Sequence, residues 1–280
     1  PYIYINNIIC TYSKNKIYFW RAIIKIIDLM NFQLIVFDLD GTLTESKQPL
    51  TEEMARLLKS LLARVPVAII GGGSFHTFRR QLLNPLAASD QELPRLFIFP
   101  TNGTSFFRFQ NGHWQVVYLE RLTATEKNKI LSAFNSALPA AGFKSPLPSA
   151  ELIEDRDSQL TFSALGQNAP LDKKLTWDQD RSRRQKIKDT LTPLLPDFDI
   201  SIAGTTSIDV TRRGLNKSYG LKQIEHYFDL PAAKILFIGD ALYPGGNDEP
   251  VLSSGVSTRR VSGPPETEKI IQDLISTPHT

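Results

Sequence analysis

The chain is 280 residues long and 41% hydrophobic, and its 32 Lys and Arg stand against 29 Asp and Glu for a formal net charge of +3. That length holds two modest domains or one large one, and the apolar content is that of an ordinary globular protein. The charge alone is silent on nucleic acid, but no basic stripe with interleaved aromatics is present, and the single cysteine, Cys10, excludes an internal disulfide framework and fits a reducing cytoplasm.

Residues 1–29 differ from the rest. They are rich in Ile, Tyr, Asn and Lys and carry no acidic residue before Asp28. Lys14, Lys16, Arg21 and Lys25 interrupt the apolar run too often for a membrane-spanning helix, and no small-residue cleavage site precedes Met30. The expectation is an extension without chemistry of its own, with Met30 as the natural start.

From Leu34 the pattern becomes regular. Leu34-Ile-Val-Phe reads as a buried strand that runs into Asp38-Leu-Asp40-Gly41-Thr42. Asp38 and Asp40, two apart, fall on one side of the strand at its carboxyl end, where open α/β sheets bind ligands. Two converging carboxylates need a cation or a shared proton, which suits a metal-bound nucleophile beside a general acid/base. A helix follows, with Thr51 as N-cap and an apolar stripe at Leu57, Leu58, Leu61 and Leu62. Val65–Ile70 is a second strand opening into Gly71-Gly72-Gly73-Ser74, where backbone N–H groups can approach a phosphate ahead of a helix over 75–83.

Leu96–Phe99 is a third strand, and the residues from Ser105 to Tyr118 read as a hairpin turned at Asn111-Gly112. Beyond it come a helix over 125–138, strand character over 152–165, a helix over 181–195 and strand again over 198–210. Leu160, Phe162 and Ala164 alternate with polar residues, as on a sheet covered on one face. The cluster Arg181-Ser-Arg183-Arg184-Gln-Lys186 reads as a solvated helix face first and an anion patch second. Gly214 to Lys222 opens a helix with Lys217 near its start. Lys234-Ile-Leu-Phe-Ile-Gly239-Asp240 is a strand terminating in a carboxylate, Asn247-Asp248 follows in a loop, and a helix over 267–275 closes the chain. Asp38, Asp40, Asp240, Asn247 and Asp248 supply oxygen donors suited to a hard cation, and Lys217 can offset the charge of a bound phosphoryl group.

These motifs, in this order, resemble the haloacid dehalogenase superfamily of phosphotransferases, in the subclass with a large cap between the second and third motifs. More narrowly, Asp240-Ala-Leu-Tyr-Pro-Gly-Gly-Asn247-Asp248, Ile153-Glu-Asp-Arg156, Ser163-Ala-Leu-Gly166 and Ser207-Ile-Asp209-Val resemble eukaryotic-type phosphomannomutases. The resemblance implies a doubly wound, mostly parallel α/β core of residues 30–103 and 214–280 and an inserted α+β cap of 104–213. It implies magnesium held by Asp38, Asp40, Asp240, Asn247 and Asp248. Asp38 is then the nucleophile, Asp40 the acid/base and Lys217 the third catalytic residue, with Ser74, Gly73 and Thr42 on the phosphate. Arg156, Ser207 and Asp209 of the cap meet a small phosphorylated substrate, a sugar phosphate above all. A homodimer through the cap is the assembly to look for, with neither nucleic acid nor membrane as partner.

Departures from the pattern decide between two chemistries. Where the mutases carry arginines that grip the distal phosphate, this chain has Gln167 and, near the other, Ser149; Gly73-Ser74 stands where they have Ser-Asp. Loss of an arginine fork removes bidentate, charge-assisted binding. On that ground the sequence favours a magnesium-dependent phosphatase over the mutase, its alternative, with Arg156 or the 181–186 cluster as substitutes for the missing charges.

Overall fold

The computed structural model describes residues 32–145 and 147–276, together with two short strands, Tyr4–Ile5 and Ile8–Ile9, that pair with each other. The remaining expectations for residues 1–29 and Met30 lie outside the described residues. In chain order the next strands are β1 (Leu34–Asp38), β2 (Val67–Ile70), β3 (Leu96–Phe99), β4 (Ser105–Gln110) and β5 (His113–Leu119). They are followed by β6 (Ile153–Asp155), β7 (Leu160–Ser163), β8 (Phe198–Ala203), β9 (Ser207–Arg212), β10 (Ile235–Gly239) and β11 (Ser257–Arg260).

The larger sheet has seven strands in the order β11-β10-β1-β2-β3-β4-β5, parallel from β11 through β3. Alternation along β1 explains why it is doubly wound. Ile35 and Phe37 enter a core with Leu57, Leu61 and Ile271, from helices Glu52–Leu62 and Pro264–Ser276. Leu34 and Val36 enter another with Leu221 and Ile224 of helix Lys217–Phe228. Both faces are covered, so β1 sits mid-sheet and delivers Asp38 to the middle of the carboxyl edge. Thr51 does cap its helix, accepting from the Met54 amide at 3.1 Å. Among the described residues no helix is long and apolar enough to cross a membrane.

The hairpin corrects the expected boundary at 104. β4 pairs antiparallel with β3 (Phe97 opposite Arg108), and β5 pairs with β4, so residues 105–119 extend the core sheet. Local pattern fixes a hairpin but not its neighbour, and here the free edge of β3 takes it. The inserted part begins only with helix Ala124–Ala140, whose N-terminus Thr123 and Glu126 close as a capping box.

The second sheet is antiparallel, in the order β8-β9-β7-β6. One face packs Leu160, Phe162, Ile208 and Val210 against Phe134 and Ile187 of the two long helices. The other carries Thr161, Ser163, Ser207 and Asp209, which the alternation assigns to solvent. All four are buried, because that face looks onto the carboxyl edge of the core. The basic cluster also departs from a solvated face. Arg184 is buried, with Nε 2.7 Å from Asp178 Oδ2, and it donates to the carbonyl oxygens of Ala203 and Gly204. Arg183 lies over the Trp177 ring, and Arg181 bonds the Tyr243 hydroxyl of the core.

Candidate active site

Three carboxylates meet where β1 and β10 end side by side. Oxygens of Asp38, Asp240 and Asp248 all lie within 4.8 Å of one another. Lys217 is fully buried at the first turn of its helix, behind the N-cap Asn216, and its Nζ stands 2.5 Å from both Asp38 Oδ1 and Asp248 Oδ1. Burial alone would pull this ammonium's pKa down, but Asp248 and Asp38 override it and hold the pKa above the usual lysine value. Asp38 titrates well above the carboxylate range, chiefly through burial, which Lys217 only partly offsets. Asp240 is raised too, by burial and by Asp248. Asp38 Oδ2 is buried without any hydrogen-bond partner. An orphaned carboxylate oxygen in a cluster of acids that outnumbers its lysine is the donor set a hard divalent cation satisfies.

The expected site residues are not all placed alike. Asp38, Asp40, Asp240 and Asn247 line one cavity; Asp248 lies behind it, spending Oδ2 on the Ala241 amide at 3.1 Å. The Asp40 carboxylate stands outside the three-acid cluster. Its Oδ1 accepts from the Lys47 amide at 2.5 Å and from Gln81 Nε2 at 3.1 Å. Thr42 is a correction: its hydroxyl is fully buried and accepts from the Asp240 amide at 3.0 Å, so it positions Asp240 and does not reach phosphate. Gly41 must remain glycine, since its φ is +92° and a Cβ there would lie 2.7 Å from Asp240 Oδ2.

Ser74 is a second correction. Its hydroxyl caps helix Phe75–Phe78 by accepting from the Thr77 amide at 3.4 Å, and it does not line the cavity. Gly73 and Thr77 do. A Cβ on Gly73 would collide with the Thr77 side chain at 2.9 Å, so the threonine fills the space a side chain at 73 would take. Thr77, one helical turn on, lines the cavity in its place, with its hydroxyl 3.2 Å from that of Ser74.

The cavity has a volume of about 690 Å3 and is walled by the core edge below and the polar face of the second sheet above. Arg156 Nη1 donates to the Gly72 carbonyl at 2.5 Å and Nη2 to Glu154 at 2.6 Å, tying cap to core. Asp209 accepts from Thr161 Oγ1 at 2.8 Å, and burial raises its pKa against the pull of Arg156. Ser207 shares a hydrogen bond with Ser163 at 3.0 Å and receives Lys47 Nζ at 3.5 Å. Lys47, Arg80, Lys174 and Arg181 also line the cavity, and among the described residues none of the four has an acidic partner at ion-pair distance. Lys47 has its pKa lowered to about 8, first by burial and then by Lys174 and Arg156.

A profile of the eukaryotic phosphomannomutase family matches residues 54–277. The chain belongs to that family. It is 27% identical over 251 residues to a probable phosphomannomutase of Caenorhabditis elegans, covering 86% of this chain and 95% of the relative. It is likewise 27% identical to the phosphomannomutase of Spinacia oleracea, over 87% of this chain and 96% of the relative. Among solved structures it is similar to the IMP-nucleotidase of Plasmodium falciparum, with a TM-score of 0.68, 16% identity and coverage of 96% of this chain and 75% of that one. A haloacid dehalogenase-like hydrolase of Bacteroides thetaiotaomicron gives a TM-score of 0.57 at 14% identity, over 86% of this chain and 98% of that one. At those identities the structures speak for the fold, and it is the haloacid dehalogenase fold.

Within the phosphomannomutase family the departures now have places. Gln167 lines the cavity and donates to Ser163 Oγ at 2.9 Å. Ser149 opens the short helix Ser149–Leu152. Sequence reasoning passed over Lys47, Thr77, Arg80 and Lys174. Only Lys47 left a local signal, a lysine in the loop directly after the Asp pair, seven residues past Asp40.

Proposed function

We propose that this protein is a magnesium-dependent phosphomutase acting on hexose phosphates, of the mannose 6-phosphate/mannose 1-phosphate kind. The observation that carries the reading is one cavity of about 690 Å3 lined by Asp38 and by four cations that, among the described residues, have no acidic partner at ion-pair distance. Asp38 lies at one end, while Lys47, Arg80, Lys174 and Arg181 line a space wide enough for a sugar with a phosphate at each end. The named relatives are phosphomannomutases, which supports the same choice over the hydrolase that Gln167 and Ser149 by themselves favour.

In this reading the Asp38 carboxylate attacks phosphorus in line and forms an aspartyl-phosphate, as the bond to the departing sugar oxygen breaks. Asp40 gives that oxygen its proton, and in the return direction takes the proton from the attacking hydroxyl. Lys217 holds Asp38 in place and balances charge as the phosphoryl group arrives. Gly73 offers backbone room and Thr77 a hydroxyl to the phosphoryl oxygens. Asp38, Asp240 and Asp248, with Asn247 and the Asp40 carbonyl, would hold magnesium, which when bound neutralises phosphoryl charge and orients the group. On the cap, Ser207, Asp209 and Arg156 contact the sugar and its remote phosphate. The single cysteine is in keeping with work in the cytoplasm.

One experiment decides. Mannose 1-phosphate is incubated with protein and magnesium, with and without glucose 1,6-bisphosphate, and mannose 6-phosphate and inorganic phosphate are followed together. Bisphosphate-dependent isomerisation faster than phosphate release is expected. Phosphate release outpacing isomerisation in both arms would overturn the mutase and restore the hydrolase.

A further inference from the structure

Arg80 and Lys174 come from opposite sides of the cleft. Arg80 stands on the helical turn Arg79–Leu83 of the core, next to Gln81, which holds Asp40. Lys174 stands on helix Leu171–Trp177 of the insert. Both line the cavity, and among the described residues neither has an acidic partner at ion-pair distance. Lys174 is almost fully buried, and its Nζ donates to the Gln167 carbonyl at 2.6 Å. An ammonium carries three donors, so two remain for a ligand. Its pKa is lowered by burial and then by the charge of Arg80 across the cleft.

Two like charges lining one cavity, one of them on a buried side chain, are costly unless an anion lies between. The place is informative as well. Lys174 is fastened to the backbone of Gln167, the residue whose neutral side chain supplies no charge of its own.

We infer that Lys174 and Arg80 form a clamp across the cleft for the remote phosphate of a hexose bisphosphate, one cation from each wall. The inference rests on the mutase reading for its ligand, but the clamp is a binding site and can be tested without turnover. Lys in place of an arginine fork grips as a point charge, so the clamp reads charge more than orientation.

The test is calorimetric titration of the full chain with magnesium withheld, so that no phosphoryl group moves. Wild type, Lys174→Met, Lys174→Arg and Arg80→Gln are titrated with glucose 1,6-bisphosphate and with phenyl phosphate, which has no second anion. Lys174→Met and Arg80→Gln should each weaken the bisphosphate roughly ten- to hundredfold while phenyl phosphate changes by less than about threefold. Lys174→Arg should recover most of the loss, which separates charge from packing. Equal weakening of both ligands, or none, would overturn the clamp, as would failure of Lys174→Arg to bind better than Lys174→Met. If the clamp pattern holds while wild type with magnesium releases phosphate faster than it isomerises, the mutase reading fails and the clamp stands.

Discussion

Replacing Lys217 by Met probes the charge balance of the site directly. The ammonium is fully buried and reaches Asp38 and Asp248, each at 2.5 Å, and Asp240 completes the cluster. Met fills similar volume, so the change removes charge and little packing. Breaking a buried ion pair by deleting one partner typically costs about 3–5 kcal/mol, because the remaining charge is left uncompensated. For a chain of this size that corresponds to a fall in Tm of roughly 6–20 °C. Thermal unfolding followed by circular dichroism, in metal-free buffer, reads it. Added magnesium should then raise the variant's Tm by more than the wild type's, since a cation bound to the same carboxylates replaces the missing charge and stabilises only the folded form. A fall under about 2 °C without metal would refute the reasoning, because it would mean the acids are discharged by something other than Lys217.

Other outcomes follow from the same geometry. Asp40→Asn should cut turnover of a sugar phosphate by orders of magnitude but hurt an activated aryl phosphate far less, since that leaving group needs no proton; equal losses in kcat would remove Asp40 from the acid role. Ser74→Ala should lower stability by about 1 kcal/mol through the lost helix cap without moving KM, while Thr77→Val should raise KM with little change in Tm. Lys47 gives a pH signature: its charged form is needed for phosphate, so kcat/KM should bend down above about pH 8, and Lys47→Met should lower the plateau and erase the bend. The stability effect has the opposite sense. The folded-state pKa lies below that of a free lysine, so the unfolded chain binds the extra proton between about pH 8 and the free-lysine range, and wild type should gain stability relative to Lys47→Met as pH rises through that window.

What could be read from the sequence was what is local. Asp38 and Asp240 each end a short apolar strand, and parallel strands with buried faces advertise themselves by composition, so the acid pair and the sheet edge were legible together. Lys217 was legible because the helix begins at it. Ser74 misled because capping a helix and binding a phosphate ask for the same hydroxyl before the same kind of turn, and only the folded cavity tells which residues line it. Arg80 and Lys174 left no trace in the sequence. Each is an ordinary helix cation until the insert folds over the core, and that placement is set by contacts such as Arg156 to Gly72, which span 84 residues of chain. The hairpin of β4 and β5 was missed as core for a related reason, since the partner of an edge strand is chosen in space.

Lys47 joins two events that would otherwise be independent. Its backbone amide steadies the Asp40 carboxylate, and its side chain reaches Ser207 on the opposite wall, from a left-handed backbone with φ of 61°. The Asp40 carboxylate and the opposite wall of the cleft are therefore both held by one residue. In the proposed reaction, a ligand that draws the Lys47 ammonium away from Ser207 bears at the same time on the amide that holds Asp40. On that reading a contact at the remote end of the substrate is felt at the reacting centre, in turnover and not only in affinity.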